Sequence, residues 1–157
     1  MQAEATRIVI ADIIQNQLDE VASKLGDFSE QVDFFEANAT ALKQKHGSVD
    51  ASVMFYLLHE LPHHLKGQAL SETARILAPG GKRYLAEFHR PDLWVLRALS
   101  RIYFKIFAAL GMAPWGTHYP VDYLQNMGLW KCESSIYFFG NFQVITATKP
   151  LPDGYLF

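Results

Sequence analysis

Uninterrupted apolar runs alternate with stretches of helical spacing in this chain, and that alternation restricts the fold more than any other feature. Residues 7–12 (RIVIAD) form a β-branched run that ends in an acid. The run does not alternate, as expected of a strand buried on both faces. Over 13–25, apolar residues stand at Ile14, Leu18, Val21, Ala22 and Leu25. That spacing predicts a helix, with Gly26 as its stop. Residues 31–36 read as a second strand, followed by the polar stretch 38–40, and 50–58 (DASVMFYLL) read as a third, buried strand. A helix over about 65–77 runs into Pro79-Gly80-Gly81, a strong turn signal. A fourth strand then occupies 82–88. Pro91 opens a long apolar helix over about 93–110. A loop at 111–120 and a short helix at 121–127 come next. Strands at 133–139 and 142–148 flank Gly140-Asn141, a credible hairpin turn. Buried strands alternating with amphipathic helices predict an α/β fold with a mostly parallel sheet. The last hairpin adds an antiparallel edge.

Size and charge narrow the function classes. At 157 residues with half of them apolar, the chain is expected to be a single domain, 1–157, with one sizeable core. The net charge of −2 carries no basic field of the kind that advertises nucleic acid. The single cysteine, Cys132, excludes an internal disulfide and suits a reducing compartment. Residues 1–6 are short and polar and do not read as a signal peptide. No uninterrupted apolar run is long enough for a spanning helix.

Four local features occur in an order that carries a resemblance. Asp12 ends the first strand ahead of a helix. Glu36-Ala37-Asn38-Ala39 follows the second strand, and Phe55-Tyr56-Leu57-Leu58-His59-Glu60-Leu61 closes the third. Leu77-Ala78-Pro79-Gly80-Gly81-Lys82 precedes the fourth. From 7 to about 149 the chain resembles the second through fifth strands, and the reversed last strand, of class I S-adenosylmethionine-dependent methyltransferases. The resemblance implies a Rossmann-like α/β sheet with helices on both faces and an antiparallel C-terminal hairpin, lacking the first strand. The strings 11–18 (ADIIQNQL), 55–60 (FYLLHE) and 87–91 (EFHRP) look like the rhodoquinone-biosynthesis methyltransferase-like group. Ubiquinone and menaquinone methyltransferases are a looser match. The family's first strand and glycine-rich turn would precede Arg7, at the sheet centre between the 7–12 and 50–58 strands. None of the ten glycines forms a G-x-G pair. The expectation is an N-terminally incomplete domain. Closure of the two halves on each other and a strand supplied by a partner are the alternatives.

The resemblance assigns roles residue by residue, and each has a plainer competitor. Asp12 would accept hydrogen bonds from the ribose hydroxyls of S-adenosylmethionine, or is a charge stabilised at a helix N-terminus. Asn38 and Ala39 stand where relatives read the adenine edge, or Asn38 simply forms a turn. Phe55 and Tyr56 would line the methionine end of the cofactor, or pack in the core on opposite faces of their strand. Residues 59–63 (HELPH) match H-E-x-x-H, but Pro62 would fall inside the helix that a zinc site of that type needs. A divalent metal is therefore an open option without support. His59, Glu60, His63 and His64 could hold such an ion or act as an acid–base pair, or form a solvated helix start. His89, with Arg90, follows the fourth strand on the rim where ligands bind in such sheets. His59 and His89 are the candidate catalytic bases for a phenolic proton. Arg97, Arg101 and Lys105 recur every four residues on the 93–110 helix, amid Trp94, Leu96, Ile102, Phe104, Ile106 and Phe107. That pattern fits peripheral contact with an anionic membrane, or a helix packed on the sheet with one wet stripe. Trp115, His118 and Tyr119 would cap an apolar pocket, or pack on the surface.

The expected function is S-adenosylmethionine-dependent chemistry on a quinone or similar apolar ring, in the cytoplasm or on the inner face of a membrane, which in a eukaryote means the mitochondrial matrix. Methylation and the rhodoquinone conversion are both open. A non-catalytic binding or assembly subunit that kept the fold is the reading from a different class. No G-x-S-x-G nucleophile elbow is present, so a hydrolase has no support.

Overall fold

The computed structural model describes residues 7–108 and 131–151. The predicted 111–120 loop and 121–127 helix, with Trp115, His118 and Tyr119, lie outside the described residues. So do the side chains of Phe104, Ile106 and Phe107. The chain forms two compact units, Met1–Lys43 and Gln44–Phe157.

The first unit is a parallel βαβ turn. Strand β1 (Ile8–Asp12) pairs in register with β2 (Val32–Glu36), from Ile8 opposite Val32 to Asp12 opposite Glu36. Between them run α1 (Gln15–Leu25) and a short 3-10 turn, Gly26–Gln31. Gly26 ends α1 with φ +54°, a left-handed value that glycine adopts without a Cβ clash. The helix packs on both strands, and Leu18 is its buried residue. The expectation that 7–12 is buried on both faces is not met: Ile8 and Val9 are exposed. A two-stranded sheet covered by one helix cannot shield both faces of its strands.

The second unit is a four-stranded sheet in the order β3, β4, β6, β5, where β3 is Val49–Phe55, β4 Leu77–Phe88, β5 Lys131–Tyr137 and β6 Phe142–Thr148. Strands β3 and β4 are parallel and joined by α2 (His63–Ile76); β6 runs antiparallel to β4 and to β5. Side-chain alternation divides the sheet. Gly81, Arg83, Leu85 and Glu87 of β4 and Gln143, Ile145 and Ala147 of β6 are buried on one face. Helix α2 covers that face through Ala69, Leu70, Thr73 and Ile76. The Thr73 hydroxyl lies 3.8 Å from Met54 Sδ, and Arg83 donates to the Leu70 carbonyl at 2.7 Å. Val53 and Phe55 point the other way and are 69% exposed, so the third strand is not buried on both faces as its sequence suggests. Its apolar run was expected to reach residue 58, but the strand stops at Phe55 because Tyr56 adopts φ +50°.

Two turn signals are realised differently from their reading. Pro79-Gly80-Gly81 does not precede the fourth strand; it bulges within it. The β3–β4 register jumps from Val49 opposite Leu77 to Ala51 opposite Lys82. A Cβ on Gly81 would lie 2.8 Å from the Ala78 carbonyl oxygen and 3.0 Å from that of Asp50, so only glycine fits. The final hairpin turns through Phe138–Gly140 rather than on Gly140-Asn141 alone, with Phe138 and Phe139 both at positive φ. The long helix is α3 (Trp94–Ala108). Among the described residues, no helix is long and apolar enough to cross a membrane.

Candidate functional site

The parallel strands of both units carry their predicted site residues at their C-terminal ends. In the first unit, the Ala37 amide donates to the Asp12 carbonyl at 2.9 Å, which carries the β1–β2 pairing into the segment holding Asn38. Asp12 and Asn38 thus sit on neighbouring strand ends. Asp12 Oδ1 accepts from the Ile14 amide at 2.8 Å, a turn bond just before α1 and not a side-chain cap of that helix. Its second carboxylate oxygen has no partner among the described residues. A half-buried carboxylate with one uncommitted oxygen fits a sugar hydroxyl. Asn38 Oδ1 accepts from both the amide and the hydroxyl of Thr40, at 3.0 and 2.9 Å. These bonds orient the exposed Asn38 amide group and leave its –NH2 to donate. Ala39 follows, half-buried.

In the second unit, the chemistry gathers where β3 ends beside β4. The Tyr56 amide makes the last parallel bond, to the Ala86 carbonyl at 2.9 Å. The positive φ of Tyr56 then turns the chain over the end of the sheet. This breaks the alternation that should send Phe55 and Tyr56 to opposite faces. Their rings meet edge to face at 4.4 Å between centroids. Tyr56 also packs on Phe88 at 5.0 Å and Phe142 at 5.8 Å. Burial, reinforced by the nearby Glu87 carboxylate, pushes the Tyr56 phenol above its ordinary pKa.

The turn after Tyr56 is pinned by Glu87. One Glu87 oxygen accepts from the Leu58 amide at 2.7 Å, and the other lies 3.2 Å from His59 Nδ1. Glu87 is fully buried, and the His59 side chain is only 5% exposed. Burying a carboxylate at such depth costs several kcal/mol unless donors surround it. The Leu58 amide and His59 are such donors. Lys66 on α2 feels the same carboxylate: burial lowers its ammonium pKa, and Glu87 partly restores it. His59 Nε2 faces the exposed Glu60, whose Oε1 is 3.9 Å away.

His89 is fixed separately. Its amide donates to the Asn141 carbonyl at 2.7 Å, and its Nδ1 lies 2.8 Å from the Gly140 carbonyl oxygen. Since a carbonyl only accepts, Nδ1 carries the proton. Both predicted histidines are therefore held at Nδ1. His63, by contrast, is the first residue of α2 while His59 lies in the preceding turn, so H-E-x-x-H does not occupy one helix. His63 and His64 are exposed. On α3, Arg101 and Lys105 are exposed, but Arg97 folds back to donate to the Asp92 carbonyl at 2.6 Å.

Sequence reasoning did not single out Glu87 as a site residue. Its signal is the alternation Arg83, Leu85, Glu87, which places an acid on the core face of an apolar strand. A buried acid at a strand's C-terminal end is a site candidate on physical grounds alone.

The ubiE/COQ5 methyltransferase family model matches residues 1–126. A ubiquinone/menaquinone biosynthesis C-methyltransferase UbiE of Methylobacterium nodulans is 32% identical over 124 residues, spanning 76% of this chain and 47% of that protein. A demethylmenaquinone methyltransferase of Lactococcus lactis is 30% identical over 100 residues, 63% of this chain and 39% of that protein. The chain thus spans less than half the length of these relatives. In structure, it superposes on Burkholderia thailandensis 1,6-didemethyltoxoflavin-N1-methyltransferase, solved with S-adenosylhomocysteine, with TM-score 0.64 at 14% identity, over 92% of this chain and 61% of that one. That likeness establishes the Rossmann-like α/β fold with its antiparallel C-terminal hairpin. A family model matching residues 1–126 settles the kinship: the chain belongs to the ubiE/COQ5 methyltransferase family.

Proposed function

We propose that this chain carries S-adenosylmethionine-dependent methyl transfer to the ring of a quinone precursor, within one methyltransferase-like domain. The observation that carries the reading is the family match over residues 1–126. When bound, the cofactor supplies an electrophilic methyl group, which needs no metal. Asp12 holds the ribose hydroxyls through its uncommitted oxygen, and Asn38 and Ala39 read the adenine edge. Phe55 and Tyr56 contact the methionine end. His59 or His89, each held at Nδ1, takes the phenolic proton at Nε2 and so raises the electron density of the ring. Conversion of a quinone to its amino analogue, as in rhodoquinone biosynthesis, is the other outcome, in which the cofactor would have a non-methylating role; the strings at 11–18, 55–60 and 87–91 support it. An apolar ring with a lipid tail would be met at a membrane surface. The exposed Trp94, Leu99, Ile102, Arg101 and Lys105 of α3 support peripheral contact there, on the cytoplasmic or matrix side.

Calorimetric titration of S-adenosylhomocysteine into the 157-residue chain tests the reading, with Asp12→Ala as control. Binding that the variant weakens by about tenfold or more, or ~1.4 kcal/mol, is expected. A folded chain that binds neither the cofactor nor its demethylated product overturns the reading for this chain, leaving a fragment or a non-catalytic subunit that kept the fold.

A further inference from the structure

We infer that Glu87 is a positioning residue that commits His59 to accept a proton at Nε2. This rests on the proposed reading for its substrate, a ring bearing an ionisable hydroxyl, but its geometry stands apart from that reading. An ionised carboxylate only accepts hydrogen bonds. Both Glu87 oxygens are engaged from one side of the turn, by the Leu58 amide at 2.7 Å and by His59 Nδ1 at 3.2 Å. The second contact requires the proton on Nδ1, which leaves the lone pair on Nε2. The Leu58 contact matters equally, because it anchors the carboxylate so that it cannot rotate away from the imidazole.

The surroundings suit a base. The His59 ring lies 5.0 Å from the Phe88 ring and 6.1 Å from that of Tyr56, both edge to face, so apolar walls limit its solvation. Its Nε2 edge faces Glu60, 3.9 Å away, whose side chain is 72% exposed, while the imidazole itself is 5% exposed. In the step itself, the ring hydroxyl's O–H bond breaks and an N–H bond forms at Nε2. The electron pair stays on the oxygen and is shared with the ring carbons. The resulting imidazolium carries N–H groups directed at Glu87 on one side and near Glu60 on the other, so positive charge forms between two carboxylates. A structural role alone would use Glu87 to pin the turn and would be indifferent to which nitrogen is protonated.

The test is the tautomer, read by nitrogen-15 NMR of histidine side chains in the labelled chain at about pH 8, where an ordinary imidazole is neutral. His59 is expected in the Nδ1–H form. In Glu87→Gln, the amide oxygen satisfies the Leu58 amide and the –NH2 group faces Nδ1, so His59 switches to the Nε2–H form. Methyl transfer should then fall at least about a hundredfold in kcat with KM little changed, since the wrong tautomer removes the acceptor. His59 in the Nε2–H form in the wild-type chain overturns the inference without needing any variant. So does an unchanged tautomer in folded Glu87→Gln. Loss of S-adenosylhomocysteine binding with the Nδ1–H form intact would count against the proposed function alone.

Discussion

Glu87 and Gly81 show what single residues decide on β4. Both occupy the buried side of the alternation, yet one brings a charge to a strand end and the other a missing side chain to a bulge. At Gly81, the 2.8 Å approach of the Ala78 carbonyl to a hypothetical Cβ involves backbone, which cannot swing aside. Gly81→Ala should destabilise the second unit by about 1–3 kcal/mol, the scale of overpacking. A urea midpoint that falls with an unchanged slope would confirm it. Leu70 is the apolar counterpart. It is buried on α2, and its carbonyl receives Arg83. Burial lowers the Arg83 pKa to about 10, still well above neutrality, so the guanidinium is charged beneath the helix. Leu70→Ala is expected to cost about 2–5 kcal/mol by transfer and cavity terms, measured in the same way.

At the scale of elements, the C-terminal hairpin stands out. Phe138 and Phe139 both hold left-handed φ, at 48° and 57°, and are 72% and 82% exposed. Large side chains in that region are strained, and exposed ones gain little burial in return. The strain is held by the ties of the turn to its neighbours. His89 bonds to Gly140 and to Asn141, and Ser100 of α3 donates to the Asn141 side chain. Asparagine tolerates the left-handed region, so Phe139→Asn should stabilise the hairpin by about 0.5–1 kcal/mol, seen as a raised melting temperature. If the exposed aromatic tip serves the proposed apolar ring or a membrane, that gain will come with weaker binding to either.

For the whole molecule, the division into two units sets the expected order of opening. Leu18 is the one buried apolar side chain among the first unit's described residues, whereas the second buries Met54, Leu58, Leu70, Leu77, Leu85 and Ile145 among others. At about 1.5–3 kcal/mol for each fully buried large apolar side chain, the second unit holds most of the stabilisation. Amides of β1 and β2 should therefore exchange with deuterium through a partial opening well below the global free energy, while those of β4 and β6 exchange only on global unfolding. Equal protection in both would mean that the units unfold as one.

The sequence by itself determined the order of strands and helices among the described residues, the α/β class, the antiparallel final hairpin and the family resemblance. These depend on local period and on short strings such as 7–12 and 50–58, which a reader can see without knowing what lies beside them. It also placed Asp12, Asn38, Tyr56, His59 and His89 at strand ends, because ends follow from where apolar runs stop. The tertiary structure alone decided the rest. Apolar runs do not report how many faces find a partner, so the exposure of Val53 and Phe55 was not legible. The bulge at Pro79–Gly81 depends on the register with β3, a property of two strands rather than one. The link between Glu87 and His59 joins residues 28 positions apart, and no spacing rule connects them. Only the left-handed turn at Tyr56 brings the imidazole back over the end of β4, within reach of that buried carboxylate.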